Sequence, residues 1–152
     1  MIDTKHIGLR LPTVSFEVEK GRVRFFAKAT GETRPEYLDE SAARAAGYRS
    51  LPAPPTFLMG ADLDAGTMTT LLETLNVPIG RILHGEQSFT YHAPVCAGDV
   101  LSVESKISDI YGKKSGALEF IVKDSLIKDA TGETVLEARS VIVVRNPQEN
   151  AA

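Results

Sequence analysis

The sequence predicts an α+β protein in which an antiparallel sheet wraps around one apolar helix. A segment that begins near Pro55 is apolar on most sides, as expected for a helix in the middle of a fold. From Arg81 onward the hydrophobic period changes to two residues, the period of a β-strand. With 152 residues the chain is long enough for one domain with a substantial core.

Short helices are predicted in the first half of the chain. Apolar residues recur with helical spacing over residues 23–30, and Gly31 ends that helix. Asp39 caps a second helix that runs through Ala46. The central helix begins near Pro55, because a proline at a first helical position lacks only an N–H that would be unpaired anyway. A further helix ends before Pro78. The apolar residues of the central helix are Phe57, Leu58, Met59, Ala61, Leu63 and Ala65.

Strands are predicted in the second half. Alternation over residues 83–92 places Leu83, Phe89 and Tyr91 on one face. Further strands cover residues 101–108, 118–122 and 133–144, and an early strand at 14–19 completes the sheet. This is the hot-dog arrangement, and we expect a single hot-dog domain over residues 1–152 with flexible ends at 1–10 and 146–152. The face opposite Leu83 carries His84, Glu86, Ser88, Thr90 and His92.

Composition excludes several function classes. The net charge of −3 argues against a nucleic-acid partner. Cys96 is the sole cysteine, so an intramolecular disulfide is impossible. The N-terminus lacks the apolar run of a signal peptide, and no segment approaches the roughly 20 apolar residues that span a bilayer. We therefore expect a cytoplasmic protein that does not enter a membrane.

Four segments carry a resemblance to a known family. They are residues 29–32 with Pro35, the helix at 39–47, the Ala-Pro-Pro-Thr-Phe run at 53–57, and residues 84–95 followed by Ala97-Gly98-Asp99. Together they resemble MaoC-like dehydratases and (R)-specific enoyl-CoA hydratases. The last segment looks most like the N-terminal, non-catalytic half of two-part dehydratases, in which another hot-dog unit supplies an Asp and a His.

The resemblance implies hydration of a trans-2-enoyl thioester, or dehydration of an (R)-3-hydroxyacyl thioester, held by coenzyme A or a carrier protein, with no cofactor. The family's Gly-Asp-x-Asn-Pro-x-His pattern is altered here: Glu32 stands in the Asp place, Arg34 in the Asn place and Tyr37 in the His place. Tyrosine has a reference pKa near 10, against about 6.5 for histidine, and is a poor base near neutrality. Arg34 can lower the basicity of Glu32.

Two interpretations of this loop remain open. In the first, Glu32 and Tyr37 act directly in catalysis, with His84 as a substitute base if its strand faces the acyl channel. In the second, the loop is a structural one held by hydrogen bonds. For the substrate, the family uses a backbone N–H at the start of the central helix to polarise the thioester carbonyl. In this chain Thr56 or Phe57 can supply that N–H, whereas Pro54 and Pro55 cannot. We expect Arg34, Pro55, Thr56 and Phe57 to bind the substrate.

Two further groups of polar residues suggest alternative sites. His84, Glu86 and His92 share a face by period two, but 92 lies about 26 Å from 84 along an ideal strand, so an outward polar face is favoured over a metal site. Asp62 and Asp64 lie where hot-dog thioesterases commonly place an acidic residue. The alternative is that both aspartates flank a helix break near Gly66.

The sequence is therefore compatible with three functions. The first is a hydratase or dehydratase of acyl thioesters, alone or as one subunit of a dimer. The second is a non-catalytic, acyl-thioester-binding subunit, and the third is an acyl-CoA thioesterase. A sheet covered by one helix has an exposed edge, so we expect a homodimer or a heterodimer with a related hot-dog subunit.

Overall fold

The computed structural model describes residues 1–147, so most of the predicted flexible segment 146–152 lies outside the described residues. Five antiparallel strands form one sheet in the order β1-β3-β4-β5-β2. The strands are β1 Val14–Glu17, β2 Ile82–Tyr91, β3 Val100–Lys113, β4 Leu118–Lys128 and β5 Thr134–Arg145. The helices are α1 Lys20–Ala29, α2 Glu40–Ala45, α3 Met59–Asp64 and α4 Thr67–Thr74, with single 3-10 turns at Thr4–His6, Pro35–Tyr37 and Ile79–Arg81.

The first two helices form where the local signals predict them. Helix α1 buries Val23 and Ala27 on one side, and Gly31 with φ +74° lies just past its end. The Asp39 carboxylate accepts a hydrogen bond from the Ala42 N–H at 2.8 Å and caps α2. Both predictions are confirmed.

The central helix is shorter than predicted. It begins at Met59 rather than near Pro55, because Thr56 has a φ of +71°, a left-handed conformation that cannot continue a right-handed helix. It ends at Asp64, and Gly66 with φ +74° separates it from α4. The prediction that Leu63 belongs to a buried helix is also wrong, since its side chain is 53% exposed.

The core lies between the helices and the inner face of the sheet. One apolar cluster contains Leu51, Phe57 and Leu136, and a second contains Leu71 and Ile142. Each fully buried Leu or Ile stabilises the fold by about 1.5–3 kcal/mol. Polar pairs lie on the same face of the sheet, where the Ser105 and Ser125 hydroxyls are 2.8 Å apart and Ser140 donates to Gln87 at 2.6 Å.

A β-bulge at Gly85 changes which residues of β2 face the core. His84 pairs with Ile142 whereas Glu86 pairs with the next residue of β5, Val141, so the two side chains lie on opposite faces. The expected common face of His84, Glu86 and His92 is therefore wrong. His84 is on the inner side of the sheet, and Leu83 lies on the outer side with Glu86.

The two edges of the sheet differ in length. At one edge β1 has only four residues. At the other, β2 has ten residues and is hydrogen-bonded along one side, to β5. A long strand with one unpaired side is able to pair with another chain. None of the helices in residues 1–147 is both long and apolar enough to cross a bilayer.

Candidate functional site

The loop that follows α1 holds the Glu32 carboxylate with four hydrogen bonds. Its Oε1 accepts from the backbone N–H groups of Thr33 and Arg34, each at 3.0 Å, and from Arg34 Nε at 3.1 Å. Its Oε2 accepts from Arg34 Nη2 at 2.7 Å. This is a two-pronged guanidinium–carboxylate pair, in which the planar donors of arginine match the two oxygens. The Glu32 side chain is 18% exposed.

These contacts decide the acid–base character of the loop. The Arg34 hydrogen bonds, with the backbone donors, lower the pKa of Glu32 to about 2 from its usual 4.5. Burial raises the pKa of Tyr37. The Arg34 guanidinium lies 4.6 Å from the centre of the Tyr37 ring, a cation–π contact. At neutral pH the loop thus presents a weakly basic carboxylate and a neutral phenol.

The turn before α3 contains the backbone donors predicted to bind the acyl carbonyl. The Phe57 N–H donates to the Pro54 carbonyl at 3.1 Å and is used within the turn. The Thr56 N–H donates instead to the Tyr91 hydroxyl at 3.0 Å. A side-chain acceptor can be exchanged for a ligand oxygen without breaking the turn. Of the two predicted donors, Thr56 is therefore the one whose N–H is not held by a backbone carbonyl of the turn.

The same turn lines two shallow cavities. The first has a volume of about 350 Å³, and its walls include Tyr37, Tyr48, Pro55 and Tyr91. The second has a volume of about 280 Å³, and its walls include Phe26, Thr56 and Phe57. Glu32 and Arg34 line neither cavity. The site is thus centred on the Thr56–Tyr91 contact, with Tyr37 at one wall.

His84 is not brought to this site. It lies seven residues from Tyr91 along β2, which corresponds to about 23 Å. The residues that the sequence analysis did not single out are Tyr48 and Tyr91. The alternation that places Tyr91 on the same face as Phe89 was the available signal for Tyr91. His92 also lines the first cavity, and its Nε2 is 3.0 Å from the Glu137 carboxylate.

Comparison with known proteins gives this geometry a context. Residues 5–138 match the family described as FAS1-like, dehydratase domain region. The chain belongs to this family. A protein of Streptomyces griseus designated UPF0336 is 37% identical over 149 residues, which are 97% of this chain and 98% of that one.

Solved structures of dehydratases have the same fold as this chain. The HadBC complex of Mycobacterium tuberculosis, a 3R-hydroxyacyl-ACP dehydratase, matches with 28% identity and a TM-score of 0.79, covering 91% of this chain and 96% of that chain. A MaoC-like dehydratase matches with 25% identity and a TM-score of 0.81, covering 93% of this chain but 42% of the longer one. The predicted hot-dog fold and the resemblance to MaoC-like dehydratases are confirmed.

The structure also places the residues of the thioesterase and metal-site hypotheses. Asp64 ends α3 and pairs with Arg22, and the helix break at Gly66 follows as expected. Asp62 lies within α3. Within residues 1–147 no three His, Cys, Asp or Glu residues lie close enough together to hold a metal ion. Cys96 is buried.

Replacement of Glu32 by Gln should lower stability in a pH-dependent way. The pKa of Glu32 in the folded protein lies below its ordinary value, so its ionic contacts stabilise the fold above about pH 5. That contribution is lost as the pH falls through 4.5 towards 2. The difference in free energy of unfolding between wild type and Glu32→Gln should therefore be constant near neutrality and shrink below pH 5, measured by urea denaturation.

Glu36→Gln is the matched control, because it removes a carboxylate from the same loop and leaves the hydrogen bonds between Arg34 and Glu32 in place. Its effect should stay small at every pH. A Glu32→Gln difference that persists undiminished at pH 2 to 3 would contradict the described Glu32–Arg34 pair.

Proposed function

We propose that this chain is the acyl-thioester-binding subunit of a 3-hydroxyacyl-thioester dehydratase or enoyl-thioester hydratase, and that a second hot-dog subunit supplies the proton-transferring Asp and His. The observation that carries the proposal is the Glu32–Arg34 pair. Removal of a proton from a substrate carbon needs a base whose pKa lies near the working pH. A carboxylate with a pKa of about 2 is far from that range.

Tyr37 does not replace the missing base in this proposal. Its hydroxyl is neutral near pH 7, and burial raises its pKa further. It lies at the wall of the first cavity and shapes the space beside Tyr91. His84 is assigned no role in proton transfer, because it lies far along β2 from the Thr56–Tyr91 contact.

The proposed contribution of this chain is to hold the thioester. The Thr56 N–H donates to the acyl carbonyl oxygen after that oxygen has displaced the Tyr91 hydroxyl. Pro55 and Phe57 form apolar walls on the two sides of the turn. Arg34, which the sequence suggested as a substrate ligand, is assigned to Glu32 instead, since its Nε and Nη2 both donate to that carboxylate. Polarisation of the carbonyl favours proton exchange at the neighbouring carbon.

The proposed second subunit joins along β2. This edge offers ten residues for pairing, whereas β1 offers four. Exposed apolar side chains lie on it or beside it, including Ile79 at 74% and Leu83 at 51% exposure. A second copy of this chain would bring the same Glu32–Arg34 pair, so a heterodimer is proposed. Two matches support it: HadBC is a complex, and the MaoC-like chain is more than twice as long as the part that this chain covers.

Crotonyl-CoA binding to the isolated chain tests the proposed site. We expect calorimetry to show binding without turnover, and Tyr91→Phe to tighten it by about threefold to tenfold. The reason is that the variant leaves the Thr56 N–H free, so the carbonyl no longer has to displace a hydrogen bond worth about 0.5–1.5 kcal/mol.

Tyr48→Phe serves as the control, because Tyr48 lines the same cavity and does not accept from Thr56. Its affinity should match the wild type. Weaker binding by Tyr91→Phe would show that the Tyr91 hydroxyl itself holds the ligand. Absence of binding in all three proteins would refute the proposed site.

A further inference from the structure

Helix α1 carries positive charge that is only partly paired within residues 1–147. The helix has four basic residues and no acidic one. Lys20 pairs with Glu40 and Arg22 with Asp64. In the described part of the chain neither Arg24 nor Lys28 forms an ion pair.

This arrangement costs helix stability. Arg24 and Lys28 are four residues apart, so their charges lie one above the other on the same face and repel each other. Phe25 lies beside Arg24 and is 74% exposed. A large aromatic side chain in solvent forgoes the stabilisation that burial of its apolar surface would give. We define Arg24, Phe25 and Lys28 as the α1 surface.

The opposite side of the same helix reaches the thioester site. Phe26, the next residue after Phe25, packs edge-to-face on Phe57 with ring centres 5.5 Å apart. Phe26 also lines the second cavity together with Thr56. The α1 surface and the Thr56 donor are thus separated by little more than one helix, which is about 10 Å across.

We propose that the α1 surface docks an acidic acyl carrier protein, which presents its acyl group to Thr56 on a phosphopantetheine arm. This inference rests on the proposed function. Charge complementarity favours that partner: two unpaired cations and one apolar side chain fit an acidic helical surface with an apolar patch. The chain as a whole has a net charge of −3, so attraction of an acidic protein must be local to this surface. The arm spans the helix to reach the cavity beside it.

The test compares two carriers of the same acyl group. Crotonyl-CoA and crotonyl-loaded acyl carrier protein are titrated into the full chain, the double variant Arg24→Glu/Lys28→Glu, and the control Lys113→Glu/Lys114→Glu. The control makes the same charge change at the turn between β3 and β4. We expect tighter binding of the loaded carrier protein than of crotonyl-CoA, and loss of about tenfold or more of that binding in the α1 variant alone. Crotonyl-CoA binding should change by less than about twofold, and the carrier preference should weaken as salt rises.

Each other outcome overturns the inference. Equal losses in the α1 and control variants would mean non-specific attraction by net charge. A parallel loss of crotonyl-CoA binding would mean that these cations hold the coenzyme A phosphates. If neither variant binds the loaded carrier protein more weakly than the wild type, the α1 surface does not take part in carrier recognition. If the wild type binds neither thioester, the proposed function itself has failed, which is a distinct result.

Discussion

The purified chain is expected not to hydrate crotonyl-CoA, and to give turnover once a hot-dog subunit with an intact Asp/His pair is added. The Glu32 carboxylate is hydrogen-bonded to Arg34, which lowers its pKa to about 2, and Tyr37 is a buried phenol whose pKa is raised. Addition of the second subunit provides the missing acid–base pair. The assay follows loss of the enoyl absorbance for each protein alone and for the mixture. The rate of the mixture should exceed that of this chain alone by at least about 10²-fold, the usual contribution of a positioned proton-transfer group. It should also exceed the sum of the two separate rates.

Variants of this chain within the complex separate a binding role from a catalytic one. Glu32→Gln and Tyr37→Phe should leave the kcat of the complex within about threefold, whereas loss of a true general base costs about 10²–10⁴-fold. Replacement of the Asp of the second subunit by Ala should abolish turnover. Hydration by the chain alone that Glu32→Ala abolishes would reverse the assignment and make this chain catalytic.

Gly85→Ala is expected to destabilise the protein by about 1–3 kcal/mol and to weaken assembly with the second subunit. A β-carbon at this position would lie 2.8 Å from Val143 Cγ2 and 2.9 Å from the Val141 carbonyl oxygen. The carbonyl belongs to the backbone of β5 and cannot turn aside as a flexible side chain can. The β2 bulge must therefore shift, which displaces the edge proposed for pairing. Urea denaturation measures the stability, and size-exclusion chromatography with light scattering measures the assembly.

Gly21→Ala is the matched control. It adds the same β-carbon within α1, where no heavy atom lies within 4 Å. Alanine is favoured over glycine in a helix by about 0.5–1 kcal/mol, so this variant should be neutral or more stable and should assemble normally. A Gly85→Ala protein as stable as Gly21→Ala would show that the bulge is tolerant and does not shape the β2 edge.

Much of the fold could be predicted because its signals are local. Asp39 caps α2 through a residue three positions away, and Gly31 ends α1 by its own backbone preference. Periods of two and 3.6 residues are contained within each strand or helix, so β3 was placed on its correct face, with Leu101 and Ile107 buried. Local pattern failed at Gly85, because a bulge depends on the facing residues of β5 as well as on β2 itself.

The site was predictable only in part, for the same reason. The residue types at 32, 34 and 37 indicated that Glu and Tyr replace the Asp and His of the resembled pattern, and they left open whether the loop is catalytic or structural. Thr56 and Phe57 could also be predicted as candidate amide donors, because the prolines before them lack an N–H. The acceptor of the Thr56 N–H could not be predicted, because Tyr91 is 35 residues away and reaches Thr56 only when the sheet has formed around the helix.

The sequence by itself determined the class of fold, the dehydratase family and the altered loop, all of which are written in residue types and short spacings. Only the tertiary structure decided which amide is available to a substrate, which end of β2 lies at the site, and which edge is free to pair. Those features arise from contacts between distant segments, whose energies depend on the three-dimensional packing of the sheet and helices and not on any local run of residues.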